Sequence, residues 1–319
     1  MMMNRFAKML LNSVVLILLI FTGCKSKTQY NDTPTTGSIF ISVDETFKPI
    51  AQSEIDVFEA IYNTATIKAA YNSEIDAFNK LLKDSVRLII SSRKLTVQEK
   101  DFFKSKKFFP KEIKIAVDAV ALIVHPNNKD TLISVEVLKD ILCGKITDWK
   151  QINSKSKLGK IKLIFDNPNS STLHFMLDSV CKGVKLSDNL SALETNANVV
   201  DFVSKTFNAI GVIGTSFVTD RNDTTSLSFL QKIKVMAVSK EPIATYENSF
   251  QPYQAYIATH QYPLTRDIYI INAEPRTGLA SGFTSFVASE RGQRIILKSG
   301  ILPATQPIRL IKVNNDFLN

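Results

Sequence analysis

Histidine and cysteine are scarce, with three of each among 319 residues, and no Cys-x-x-Cys or His-x-x-x-His spacing occurs. A disulfide framework and a dense zinc site are therefore excluded. Glycine, at 11 residues, stands below the usual share of about 7%, and there is neither an internal repeat nor a low-complexity segment. No run of five or more basic residues occurs, which argues for lysines spread over a solvated surface rather than a nucleic-acid-binding stripe. The repeated long apolar runs of a multi-span membrane protein are missing as well. What is present is an ordinary globular composition, 45% hydrophobic and 22% charged. At about 150 residues per domain the length fits two domains.

Arg5 and Lys8 precede an apolar run, Val14 to Phe21, that leads into Thr22-Gly23-Cys24. Eight unbroken apolar residues are too few for a spanning helix, which needs about 20. A charged start, a short apolar middle and small residues before a cysteine are the marks of a signal peptide. The ending resembles a bacterial lipobox, which implies removal of residues 1–23, lipidation of Cys24 and a polar tether over 24–36. Arg5 and Lys8 are the only charges lost with that leader, so the mature chain carries 37 basic against 30 acidic residues, a net +7. Such a diffuse positive field attracts small anions.

From Ser38 onward, short β-branched runs alternate with amphipathic stretches, the pattern of an α/β fold. Ile39, Ile41 and Val43 mark a first strand, Ile67 to Tyr71 a second and Val86 to Ile90 a third. Ile55, Phe58, Ile61 and Tyr62 fall at helical spacing between the first two. Ser73 with Asp76, and Thr96 with Glu99, have the spacing of capping boxes. Ile113 to Val124 is long and apolar for one strand, which suits a segment passing between two lobes. Further strands are expected at Ile161 to Phe165, Ala209 to Gly214 and Arg266 to Asn272. Helices are expected from Ser170 through Val180, over Asn198 to Phe207 and over Phe283 to Leu297.

Four polar loops stand at strand-to-helix junctions: Thr46-Phe47, Ser73, Ser91-Ser92-Arg93 and Ser170-Ser171-Thr172. Each hydroxyl is first a helix cap, yet several such ends converging would present neutral donors to an anion without any metal. Arg93 offers a two-pronged charged contact to phosphate oxygens. In open α/β sheets ligands lie beyond the carboxyl ends of the strands, where these loops are. Asp44, Glu45 and Asp166 are turn residues that could also take a proton from a ligand.

The order and spacing of several stretches resemble the phosphate-binding protein family of Pst-type ABC importers, type II periplasmic binding proteins, across residues 37–305. The stretches are Thr46 to Pro49, Ile90 to Thr96, Asp118 to Val124, Leu138 to Trp149 (LKDILCGKITDW), Ser170 to Thr172, Asn208 to Gly211, Tyr262 to Asp267 and Gly292 to Ile296. The resemblance implies two α/β lobes, each a mixed sheet flanked by helices, joined by two crossover segments and closing on one oxyanion. One lobe would comprise 37–117 plus 262–319 and the other 118–261. Family ligand contacts carry over to Thr46, Phe47 through its backbone N–H, Ser73, Ser92, Ser170, Ser171 and Thr172. Two positions depart from the pattern: Asp166 stands where well-known members have arginine, and Ser92 where they have aspartate. Arg93 matches an arginine that some relatives place in a Ser-Arg-x-Leu segment.

The resemblance implies a lipid-anchored, exported receptor for inorganic phosphate, with an ABC permease and the membrane as partners, no nucleic acid, no cofactor, no metal and a monomeric state. Two other classes remain open at this point. One is a sensory or accessory lipoprotein for another oxyanion or polar ligand, which Asp166 favours. The other is a phosphate-ester hydrolase, which needs an activated nucleophile or paired metals, whereas His125, His174 and His260 lie in unrelated contexts. His174, on the helix after Ser170, can approach a ligand there or serve as a packed or solvated histidine. Cys143 and Cys181 are expected as buried thiols, although an exported location permits a bond between them.

Overall fold

A computed structural model describes residues 32–187, 190–219 and 224–305, leaving Cys24 and the leader outside the described residues. No helix among the described residues is long and apolar enough to cross a membrane. The strands are β1 (Gly37–Asp44), β2 (Ala65–Asn72), β3 (Leu88–Ser91), β4 (Lys111–Val124), β5 (Leu132–Ser134), β6 (Lys162–Phe165), β7 (Ser191–Ala192), β8 (Ala209–Gly214), β9 (Lys234–Val235), β10 (Ala237–Ser239), β11 (Ser249–Phe250), β12 (Thr265–Asn272) and β13 (Leu302–Pro303). The main sheet runs β2-β1-β3-β12-β4-β8-β6-β7, with β13 and β9 also pairing β4, and β11-β10-β5 form a small second sheet. β1 is parallel to β2 and β3, and β6 is parallel to β7 and β8. β12 and β4 run antiparallel at the centre.

The fold is a mixed α/β architecture in which one strand serves two cores. Ile115 and Ala116 of β4 pack with Ile41, Val43, Phe58 and Phe283, whereas Val120, Leu122 and Val124 pack with Leu138, Trp149, Phe165 and Val212. On the opposite face of the sheet, Ala121 and Ile123 meet Val199, Val203 and Phe217. The expected long apolar strand is thus a fourteen-residue one that leaves one core and enters the next. Trp149 is buried and its indole N–H donates to the Asn208 carbonyl at 3.0 Å, a structural role in the second core.

Local signals explain most element ends. Ser73 accepts from the Asp76 N–H, Thr96 and Glu99 complete a capping box, Ser134 caps Val135–Leu142, and Ser170 accepts from Leu173 N–H. Two helices differ from expectation. The stretch from Phe283 to Leu297 is not one helix but two, Leu279–Ala288 and Glu290–Lys298, because Ser289 is extended at ψ 167°. Gly292, in the first turn of the second helix, lies so close to the Phe286 and Val287 carbonyls that a Cβ would meet them at 2.6 and 2.5 Å, so the close approach of the two helices requires glycine there. The helix opening at Ser170 is α-helical only over Ser171–Phe175, then widens into π turns over Met176–Cys181 and stops at Lys182 in the left-handed region (φ 51°). Cys143 and Cys181 are free thiols with their sulfurs 4.0 Å apart.

Candidate functional site

The strand ends gather polar residues at one place. β1 ends in Asp44, whose Oδ1 accepts from the Thr46 N–H at 3.0 Å and so turns the chain into the short helix Glu45–Phe47. β6 ends at Phe165, and the following turn carries Asp166 toward Thr46. Thr46 Oγ1 lies 3.4 Å from both Asp166 Oδ2 and Ser171 Oγ. Thr172 donates to Asp166 Oδ1 at 2.5 Å and shares a hydrogen bond with Ser170 at 2.8 Å. Asn196, at the start of its helix, donates to Asp166 Oδ2 at 3.2 Å and to the Glu45 carboxylate. Asp44, Thr46, Asp166, Ser170, Ser171, Thr172 and Asn196 are all buried.

Arg266 completes this cluster. On β12 it stands directly across from Asp118 on β4, and its Nε and Nη2 donate to Asp118 Oδ2 at 3.1 and 3.0 Å. Its remaining Nη1 donates to Ser171 Oγ at 2.8 Å, and the guanidinium lies 4.8 Å from the Phe47 ring centre. Burial pushes the Asp118 carboxyl up, and Arg266 pulls it back. Neither Arg266 nor Asp118 was a sequence candidate for the site. The signal was present for Asp118, the one charge in the apolar run from Ile115 to Val124, since such a charge is retained only when paired; Arg266 stands beside Asp267 and carries no such mark.

Burial pushes the Asp44 carboxyl up to about 7, with nearby Glu74 adding to the rise and Arg266 and Ser171 opposing it. Asp44 Oδ2 is buried and makes no hydrogen bond. Burial also raises Glu45, against the opposing donors of Asn196. A second knot adjoins. Glu74 Oε1 accepts from Ser92 Oγ at 2.6 Å and Ser92 N–H at 3.2 Å, while Oε2 lies 3.1 Å from His174 Nδ1. Burial alone would raise Glu74, but the hydrogen bonds from His174 and Ser92 and the charge of Arg93 outweigh it and hold it below its usual range.

A family model described as PBP superfamily domain matches residues 28–291. The chain belongs to the PBP superfamily. Within it, the chain is 27% identical over 253 residues to the phosphate-binding protein PstS of Staphylococcus aureus (strain bovine RF122 / ET3-1), covering 78% of this chain and 73% of that one. A Clostridium perfringens protein solved with bound phosphate superposes with a TM-score of 0.70 at 23% identity, covering 84% of this chain and 99% of the other. An ABC-type phosphate transport receptor from Vibrio cholerae superposes with a TM-score of 0.62 at 19% identity, covering 84% and 100%. The PBP architecture is two-lobed, and the strand-end clusters described above lie where β1 and β3 of one core face β6 and β8 of the other.

The residues expected from sequence divide into two groups. Thr46, Ser170, Ser171, Thr172, Asp44 and Asp166 come together, with Phe47 buried behind them and Glu45 at the edge. Ser73, Ser91, Ser92 and Arg93 do not offer free donors. Ser73 Oγ is used by Asp76, Ser91 Oγ by the Arg93 backbone, and Ser92 Oγ by Glu74. Arg93 grips Glu99 with both terminal nitrogens at 2.8 and 2.9 Å and lies flat on Phe78, its guanidinium carbon 3.4 Å from the ring centre. Its charge is committed to its own lobe, and Arg266 is the guanidinium that reaches the hydroxyl cluster. Glu74, Asn196 and Asp118 complete the set that sequence reasoning passed over. Gly214, at the end of β8, lets the walls meet: a Cβ there would lie 2.2 Å from Thr46 Cγ2. Among the described residues no group of three or more histidine, cysteine or carboxylate side chains could hold a metal.

Proposed function

We propose that this chain is an exported receptor, lipid-anchored through Cys24, that captures inorganic phosphate between its lobes and passes it to an ABC permease. The single observation that carries this reading is the convergence of Thr46, Ser171 and Thr172, from opposite walls, around Arg266 and the buried carboxyls Asp44 and Asp166. Hydroxyls donate to the bare oxygens of a tetrahedral anion, and a buried carboxyl accepts from its O–H, which sulfate lacks at neutral pH. Binding of this kind needs neither nucleophile nor metal. Transport partners follow from the kinship with PstS-type receptors, and a monomer suffices because both walls belong to one chain. Ile115 to Val120 and Pro263 to Ile268 serve as the two crossovers, the first within β4 and the second leading into β12.

Calorimetric titration tests this. After unfolding and refolding to strip carried-over ligand, phosphate and arsenate should bind and sulfate should give no heat. Thr46→Val and Ser171→Ala should each weaken phosphate by about tenfold, on the order of one hydrogen bond to a charged group. Silence toward phosphate and arsenate, with binding of some other polar ligand, would favour instead an accessory receptor, the class to which the carboxylate at Asp166 points.

A further inference from the structure

Every cation around the hydroxyl cluster is already matched by an acid. Arg266 is held by Asp118, Arg93 by Glu99 with Glu74 3.9 Å away, and His174 by Glu74. Glu45 answers to Asn196 and feels Lys48. Two carboxyls are left over, Asp44 and Asp166. Asp166 is satisfied only by the neutral donors Thr172, Thr46 and Asn196, and Asp44 keeps one buried oxygen without any partner. An oxyanion lodged among Thr46, Ser171 and Thr172 therefore faces two acidic groups and no uncommitted positive charge. In a water-excluded pocket like charges cannot be left side by side. The remedy open to this site is protons.

We infer that the cleft selects phosphate in its doubly protonated, singly charged form, one O–H donating to Asp44 and the other to Asp166, while the hydroxyls and Arg266 serve the two bare oxygens. This rests on the phosphate reading above and refines it. Four ligand oxygens are then matched by two acceptors and several donors, and no carboxylate confronts a bare oxygen. Burial already favours a proton on Asp44. Whether the shared proton is drawn on Asp44 or on the ligand, the total is the same: complex formation above the second ionisation of phosphate takes a proton from solution. The groups that could add protons of their own are Glu74 beside Asp44, Glu45 beside Asp166, and His174 on Glu74, while Arg266 faces Asp44 as a fixed charge.

The test is phosphate titration of the refolded chain between about pH 6 and about pH 8.5, each point in two buffers of different ionisation heat so that protons are counted. Affinity for total phosphate should fall by about tenfold per pH unit on the alkaline side, with about one proton taken up. Asp166→Asn, which keeps the shape but turns one acceptor into an amide, should flatten that slope and strengthen alkaline binding. His174→Asn should lower affinity a few-fold at the acid end yet keep the fall on the alkaline side, since its imidazole is not the proton's destination. Flat affinity with no proton uptake in the wild type would overturn the inference, as would a slope unaltered in Asp166→Asn or abolished in His174→Asn. Phosphate binding persists in each of those outcomes, so they leave the phosphate reading standing. Absence of phosphate heat at every pH would instead overturn that reading, and this refinement with it.

Discussion

His174 Nδ1 lies 3.1 Å from Glu74 Oε2, joining the helix that opens at Ser170 to the one that opens at Ser73. The hydrogen bond to Glu74 raises the imidazole above its ordinary value of 6.5 against the opposing effect of burial. The contact's contribution to closure is therefore fully present below about pH 6.5 and is lost as pH climbs through the raised value. Because the imidazole is partly exposed, the contact contributes on the order of 1 kcal/mol. His174→Ala should weaken phosphate binding by about fivefold at about pH 6 and match the wild type at alkaline pH, as read by titration at both.

The pair Arg266–Asp118 should behave as a buried ion pair does. Arg266→Gln leaves Asp118 uncompensated in the sheet interior and should cost about 3–5 kcal/mol in urea unfolding. Removing both charges together, with Arg266→Met and Asp118→Leu, should recover much of that stability while phosphate binding stays impaired, because Ser171 loses its donor.

Glu54 is buried with neither carboxylate oxygen hydrogen-bonded, and burial pushes it up to about 9. Its proton stays on in the folded chain and leaves in the unfolded chain above its ordinary value of 4.5. Stability from this group is thus complete below about pH 4.5 and declines steadily as pH rises toward 9. Glu54→Leu should stabilise the fold at neutral pH by about 1–3 kcal/mol, with a gain that grows with pH, measured by thermal unfolding at several pH values.

Burial and the neighbouring Cys143 push the Cys181 thiol up to about 12. A thiol kept protonated is a poor nucleophile. Cys181 should resist iodoacetamide at mildly alkaline pH in the native protein and react on unfolding, as followed by mass spectrometry of the labelled peptides.

Much of the fold was legible because local chemistry and global architecture agree. Ser73, Thr96 and Ser170 are caps in both sequence and structure, and the apolar alternation of Ile39, Ile41 and Val43 is the buried face of β1. The hydroxyls Thr46 and Ser170 to Thr172 were legible as site candidates for the same reason, each standing where a strand hands over to a helix. Arg266 was not, since its partner Asp118 lies far away in sequence and only the register of β12 on β4 makes them neighbours. Arg93 shows the complementary case. Glu99 was read as a helix cap, and nothing in the sequence said that the same carboxylate would also claim the guanidinium. The break at Ser289 escaped notice because an apolar helical period continues across it.

Gly214 brings the consequence of a missing side chain. Its hydrogen sits against Thr46 where a methyl group would collide. Any larger residue would work as a doorstop, pushing Thr46 back and holding the two walls apart. On the reading proposed above, such a chain would fill and empty like an open bowl and never present a shut face to a permease. The difference between a trap and a bowl is here the width of one carbon atom.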